Sequence, residues 1–140
     1  MPAGAELLVD TSVAVALVVS DHEAHDDAWQ AMGAARLGLA GHAAFETFSV
    51  LTRLPTPLRR TPWAAHTLID RNFPDSRFLD AVAAQRLLAR LGPMRLGGGA
   101  VYDALVGAVA AHYQLPLATR DRRAMDTYQR LDVDVRLLGP

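Results

Sequence analysis

Two residue types are missing altogether from this 140-residue chain: it has no cysteine and no lysine. Without thiols, disulfide staples, cysteine-zinc sites and thiol nucleophiles are excluded. Without an ε-ammonium, so are Schiff-base and pyridoxal-phosphate chemistry, a Walker-A phosphate lysine and the lysine of aspartyl-phosphate enzymes. All 14 cationic side chains are arginine, in an alanine-rich composition that reads as GC-rich coding. Long hydrophobic runs are missing too. Although 51% of the residues are hydrophobic, no stretch approaches the ~18 apolar residues a membrane span needs. Serine is scarce, and Ser12, Ser20, Ser49 and Ser76 all lie outside any Gly-x-Ser-x-Gly elbow, which argues against a serine hydrolase. A net charge of -1 gives no general basic surface, so contact with nucleic acid would fall to local arginine clusters. The opening Met-Pro-Ala-Gly-Ala-Glu carries no basic segment and Asp10 breaks the apolar stretch behind it. No secretion signal is evident, and the expected compartment is the cytoplasm.

What is present reads as one domain over residues 1–140, with no repeat, low-complexity block or linker. Leu7-Leu8-Val9 is a short apolar strand ending at Asp10, and Thr11 and Ser12 open a helix through Val19. Alanines and Trp29 at helical spacing predict a helix over Glu23–Ala35, followed by a strand over Leu37–Ala40. His42–Leu54 carries a helical stripe that Pro55 and Pro57 stop. Pro62 starts another helix, reaching Asn72, and Arg77–Leu79 reads as a brief strand. An amphipathic helix runs from Asp80 to Gly92-Pro93, and a triple glycine, Gly97–Gly99, leads into an apolar helix over Ala100–His112. Strands over Leu115–Ala118 and Val133–Leu138 close the chain. Strands alternating with helices predict an α/β fold: an α/β/α sandwich around a central, mostly parallel sheet.

The acids carry the chemistry. Ligands of such sheets gather at the carboxyl ends of the strands, and Asp10 and Asp121 each follow a predicted strand. Glu46 lies within a helix, and Asp103 in the first turn of another, among small and apolar neighbours that are odd company for a solvated carboxylate. Singly, each has an ordinary role: Asp10 an N-cap, Asp103 a charge on a helix dipole, Glu46 a solvated face, Asp121 a turn cap. Converging, four carboxylates would raise one another's pKa unless a divalent cation sat among them, and oxygen-only ligands select a hard ion, Mg²⁺ or Mn²⁺.

Four stretches carry a resemblance: Leu8-Val9-Asp10-Thr11-Ser12, Phe45-Glu46-Thr47-Phe48, Gly98-Gly99-Ala100-Val101-Tyr102-Asp103-Ala104-Leu105 and Ala118-Thr119-Arg120-Asp121-Arg122-Arg123. In this order and at this length the chain resembles the PIN-domain ribonucleases, specifically VapC-type toxins of bacterial toxin-antitoxin pairs. The resemblance spans nearly the whole chain and implies a PIN-like sandwich. It places the catalytic and metal-binding quartet on Asp10, Glu46, Asp103 and Asp121, with Mg²⁺ or Mn²⁺ as cofactor. It implies Ser12 and Thr119 as supporting hydroxyls, though helix capping and strand-end polarity account for them equally well. Asp126 is a candidate supporting acid, with a surface charge the better reading. The implied function is a metal-dependent endoribonuclease toxin cutting RNA, with transfer and ribosomal RNA both open. The implied partners are a cognate antitoxin protein and a second copy of the chain in a homodimer, with no membrane.

Other features weigh less. Arg53, Arg59 and Arg60, and Arg120, Arg122 and Arg123, flank two acid motifs and are candidate phosphate contacts. His22 and His25 read as surface histidines rather than metal ligands. Trp29, Trp63, Phe45, Phe48 and Phe73 read as core or dimer contacts. Two rival functions stand beside the nuclease. One is an aspartyl-phosphate enzyme using Asp10, which the missing lysine opposes. The other is a catalytically silent interaction protein whose acidic pocket binds a metal or an arginine.

Overall fold

Leu7, Leu8 and Val9 are all buried, so the first strand has no solvent face and must be covered on both sides by helices. The computed structural model describes Gly4 and residues 6–139. Its strands are β1 (Glu6–Val9), β2 (Arg36–Leu39), β3 (Leu117–Thr119) and β4 (Val135–Leu137). They form one parallel sheet in the order β2-β1-β3-β4. The register pairs Val9 with both Leu39 and Ala118, which brings the carboxyl ends of β1 and β3 level with each other.

Between β1 and β2 run α1 (Thr11–Val18) and α2 (His25–Met32), and between β2 and β3 run α3 (His42–Thr52), α4 (Pro62–Asn72), α5 (Ala81–Leu91) and α6 (Ala100–Tyr113). A 3-10 turn (Arg122–Ala124) and α7 (Met125–Arg130) lead from β3 to β4. The first crossover steps one way along the sheet and the later two step the other way. Right-handed crossovers then put α1 and α2 on one face and α6 and α7 on the opposite one, giving the expected α/β/α sandwich. The reversal falls between β1 and β3, the place where an open parallel sheet leaves a crevice beyond its strand ends.

The main core joins the strands to Val13, Leu17 and Met32 on one side and Val106, Val109, Tyr128 and Leu131 on the other. A smaller cluster of Val19, Leu51 and Ala65 ties α1, α3 and α4 together. Two glycines permit close approaches that position the site. A Cβ at Gly107 would lie 3.0 Å from the Tyr128 ring, so the bare backbone lets α7 sit close on α6. At Gly38 a Cβ would collide with the Asp75 carbonyl at 2.1 Å, so only glycine lets residues 75–77 run beside β2.

That last segment corrects one expectation. The brief strand expected over Arg77–Leu79 is a single bridge, Ala40 to Arg77, and the Phe78 carbonyl accepts the Tyr113 hydroxyl at 2.7 Å instead of a strand partner. The expected helix over Glu23–Ala35 is shorter, His25–Met32, starting after a turn at residues 19–25 and stopping at Gly33, whose positive φ ends it. The last two strands are also shorter than their apolar runs, since only three residues of each pair with a neighbour. Phe73 is buried as expected, but Trp63 and Phe45 are 85% and 68% exposed and are not core. Helical periodicity put them on apolar stripes, yet Trp63 sits in the first, outward turn of α4, and Phe45 meets Phe78 edge-on at the surface. Among the described residues, no helix is long and apolar enough to cross a membrane.

Candidate active site

The site is built at the carboxyl ends of β1 and β3. Asp10 follows β1 directly and is the N-cap of α1, its Oδ1 accepting the Val13 N–H at 3.3 Å. The same carboxylate accepts three hydroxyls. Ser12 Oγ donates to Oδ1 at 2.5 Å, Thr119 Oγ1 donates to Oδ2, and the Tyr128 hydroxyl donates to Oδ2 at 3.0 Å. Asp10 is therefore both the helix cap that its sequence context suggests and the most tightly held acid of the cleft. Burial pushes its carboxyl above the usual aspartate range, opposed by the three hydroxyls and the Val13 amide. The two shorter hydroxyls also bind the strand ends together. Ser12 Oγ accepts the Arg120 N–H at 2.8 Å, and Thr119 Oγ1 accepts the Asp121 N–H at 3.0 Å.

Asp121 ends the β3 connection and caps the 3-10 turn, its Oδ1 accepting the Arg123 N–H at 3.0 Å with the Arg123 guanidinium 3.4 Å away. Glu46 reaches in from the second turn of α3, with His42 Nε2 3.1 Å from its Oε1 and the Thr11 hydroxyl donating to its Oε2 at 3.3 Å. Asp103 projects from the first turn of α6. Its carboxyl is pushed above the ordinary range by burial first, then by Asp121, Glu46 and Asp10, with Arg123 pulling the other way. All four acids line one small cavity of about 60 Å³, together with Thr11, Ser12 and Tyr128. It opens into a wider cleft of about 590 Å³ lined by Glu46, Asp103 and Asp121 and by His42, Tyr102, Arg53 and Arg123.

The structure thus brings together the four acids singled out in the sequence, along with Ser12 and Thr119. Asp126 is exposed. Of the six candidate arginines, Arg53 and Arg123 line the cleft, while Arg59 and Arg60 turn back onto the carbonyls of Leu54 and Leu58. His22 and His25 each use Nδ1 on backbone, at Ala24 and Ala16 respectively. Sequence reasoning missed Tyr128. It was given no role in the sequence, but a buried tyrosine hydroxyl needs a partner, and that need was the available signal. Burial and the Asp10 charge push its phenol far above the usual tyrosine value, so it acts as a permanent donor.

Apart from Val106, the residues lining the small cavity all present side-chain oxygens, and the mutual repulsion felt at Asp103 is what a cation would relieve, so these residues fit a hard divalent ion. They line the cleft rather than forming a closed cage. As the side chains lie, no three acidic or imidazole groups among the described residues stand together as a ready coordination cluster. Glu46 is turned to His42 and Asp121 to Arg123, and both acids are half-exposed and adjustable.

A parallel sheet with acids at the β1 and β3 ends, completed by acids from two helices, defines a class. Residues 7–131 match the PIN domain, and the chain belongs to the PIN-domain family. It is 47% identical over 131 residues to Ribonuclease VapC27 of Mycobacterium tuberculosis, covering 92% of this chain and 94% of that protein. To Ribonuclease VapC40 of the same organism it is 45% identical over 130 residues, covering 92% and 96%. Among solved structures it matches VapBC2 from Rickettsia felis, solved bound to a DNA fragment from their promoter. That match has a TM-score of 0.66 at 10% identity, covers 96% and 99% of the two chains, and speaks to the fold alone.

Proposed function

We infer that the protein is a metal-dependent endoribonuclease, hydrolysing RNA phosphodiesters as the toxin of a toxin-antitoxin pair. One observation carries this reading: carboxylates from four separate segments line a single cavity at the switch point of the sheet. The identity to ribonucleases named VapC over nearly the full length supports it. Asp10, Glu46, Asp103 and Asp121 would hold one or two Mg²⁺ or Mn²⁺ ions. A divalent ion there would supply Lewis acidity, making a water nucleophilic near neutral pH and neutralising charge on the phosphate and leaving oxygen.

The chain's own part is positioning. Ser12, Thr119 and Tyr128 hold Asp10 in one orientation, so the floor of the cavity needs no rearrangement when substrate arrives. Glu46 and Asp121 line the same cavity from its half-exposed edge, where small side-chain adjustments away from His42 and the Arg123 guanidinium would close them on an ion. Arg53 and Arg123 offer planar guanidinium groups to non-bridging phosphate oxygens at the rim, offsetting the repulsion between RNA and the acids. Water adds to phosphorus, one ribose–oxygen bond to phosphorus breaks, and the products are a phosphate monoester and a hydroxyl end. The substrate class is exposed single-stranded RNA, such as transfer or ribosomal RNA loops. The protein acts in the cytoplasm, as a homodimer restrained by a cognate antitoxin.

The test is to incubate antitoxin-free protein with total cellular RNA in Mg²⁺, Mn²⁺ or EDTA, beside an Asp103→Asn control, and to sequence the new ends. Discrete cuts that need metal and vanish in the variant are expected. Cleavage that persists in EDTA or in the variant would overturn the metal-dependent acid mechanism, and no cleavage at all would overturn the reading in favour of a cleft used for binding alone.

A further inference from the structure

The wider cleft has an aromatic wall that the acid chemistry leaves unused. His42 opens α3 and Tyr102 lies in the first turn of α6, and their rings stack with centroids 5.1 Å apart and planes inclined by 24°. The imidazole lies with Nε2 3.1 Å from Glu46 Oε1, so the pair stands directly beside an acid of the site. Tyr102 is the residue immediately before Asp103, so the wall stands one residue from the acid whose carboxyl feels the other three. With one face packed on His42, Tyr102 is still 53% exposed, leaving much of its ring open to the cleft that both residues line.

An acidic cleft has a particular difficulty with a polyanion: bringing a phosphate to four carboxylates is repulsive until a cation offsets it. Base stacking on an aromatic ring adds affinity without adding charge, and it tolerates any sequence because every base has a π-face. Arg53 and Arg123 line the same cleft and are placed to take backbone phosphates while a base lies on the wall. We propose that the Tyr102–His42 pair is a nucleobase-stacking subsite, which receives a base next to the scissile phosphate of single-stranded RNA and so positions that phosphate over the acids. This rests on the ribonuclease reading above and goes beyond it by naming where the base is held.

The strongest cut site mapped in total RNA is synthesised as a short single-stranded RNA, intact and with an abasic residue at each of the two nucleotides on either side of the cut. The wild-type protein, Tyr102→Leu and Tyr102→Phe are compared. At one of the four positions the wild-type enzyme should lose roughly tenfold in kcat/KM on the abasic RNA, the size of one stacking contact. Tyr102→Leu should show the same loss on intact RNA, carried by KM, and no further loss on the abasic one, while Tyr102→Phe behaves as wild type. If Tyr102→Leu cuts intact RNA normally, or its loss multiplies independently with the abasic loss at all four positions, the stacking subsite is overturned and the nuclease stands. A wild-type protein that cuts no RNA overturns both.

Discussion

The floor and the rim of the cleft are built from the same residue type and held in opposite ways. At the floor, Asp10 is buried and accepts four hydrogen bonds, from Ser12, Val13, Thr119 and Tyr128. At the rim, Glu46, Asp103 and Asp121 are half-exposed, with partners that are adjustable side chains, near turns, or absent from the carboxylate itself. The floor is fixed by the fold, since its donors come from α1, β3 and α7, three elements that must already be packed. The rim keeps its freedom at the cost of burial and repulsion, both visible at Asp103. A site that must take up an ion and a moving phosphate benefits from both: one ligand placed in advance and others able to close.

The contrast can be broken first at the rim. Asp103→Asn should lower RNA cleavage by about 100-fold or more, since losing even an outer partner of a metal ligand typically costs 10–100-fold. It should leave the fold intact, as a thermal melt would show. Next comes the floor. Tyr128→Phe removes one donor to a buried carboxylate and should lower cleavage by about tenfold and stability by about 1.5–3 kcal/mol, the range for a hydrogen bond to a charged group. Rate assays and urea titrations check the two parts, and a stability loss without a rate change would make Tyr128 purely a core residue.

A smaller effect follows from the sign of the Asp103 shift. A carboxyl raised in the folded state favours folding while it is protonated, and that contribution is lost as pH rises through its folded value. Asp103→Asn should therefore melt above the wild type at pH 7.5 in EDTA, and the gap should close as pH falls below the ordinary carboxylate range. Melting curves across that range settle it, and a gap independent of pH would contradict a carboxyl raised by burial and by the neighbouring acids. The smallest change lies outside the cleft. Thr47 is buried with no hydrogen-bond partner for its hydroxyl among the described residues. Thr47→Val should gain about 1 kcal/mol by removing an unmet polar group and leave cleavage unchanged.

Local pattern made much of this legible. Asp10 and Asp121 could be placed at strand ends because apolar runs stop there, and the shared register of β1 and β3 is what turns two strand ends into one crevice. Glu46 and Asp103 needed the ordered set, as a lone acid on a helix has no signature of its own. What escaped depends on contacts far apart in the chain. Tyr128 meets Asp10 only because Gly107 lets α7 close on α6, a packing fact that periodicity does not encode. The His42–Tyr102 stack joins the starts of two helices nearly sixty residues apart, and it too follows from tertiary packing. Phe45 and Trp63 lie outside the core although their stripes allowed it, since an apolar stripe says which residues share a face and not whether anything covers it.

The central claim, that four converging acids make a divalent-ion site, is tested most directly by titrating Mn²⁺ into the metal-free protein at pH 7.5 and recording the heat, beside Asp103→Asn. The account predicts saturable binding by the wild type, weakened at least about tenfold in the variant. Binding of equal strength in both, or no heat at millimolar Mn²⁺, would contradict it.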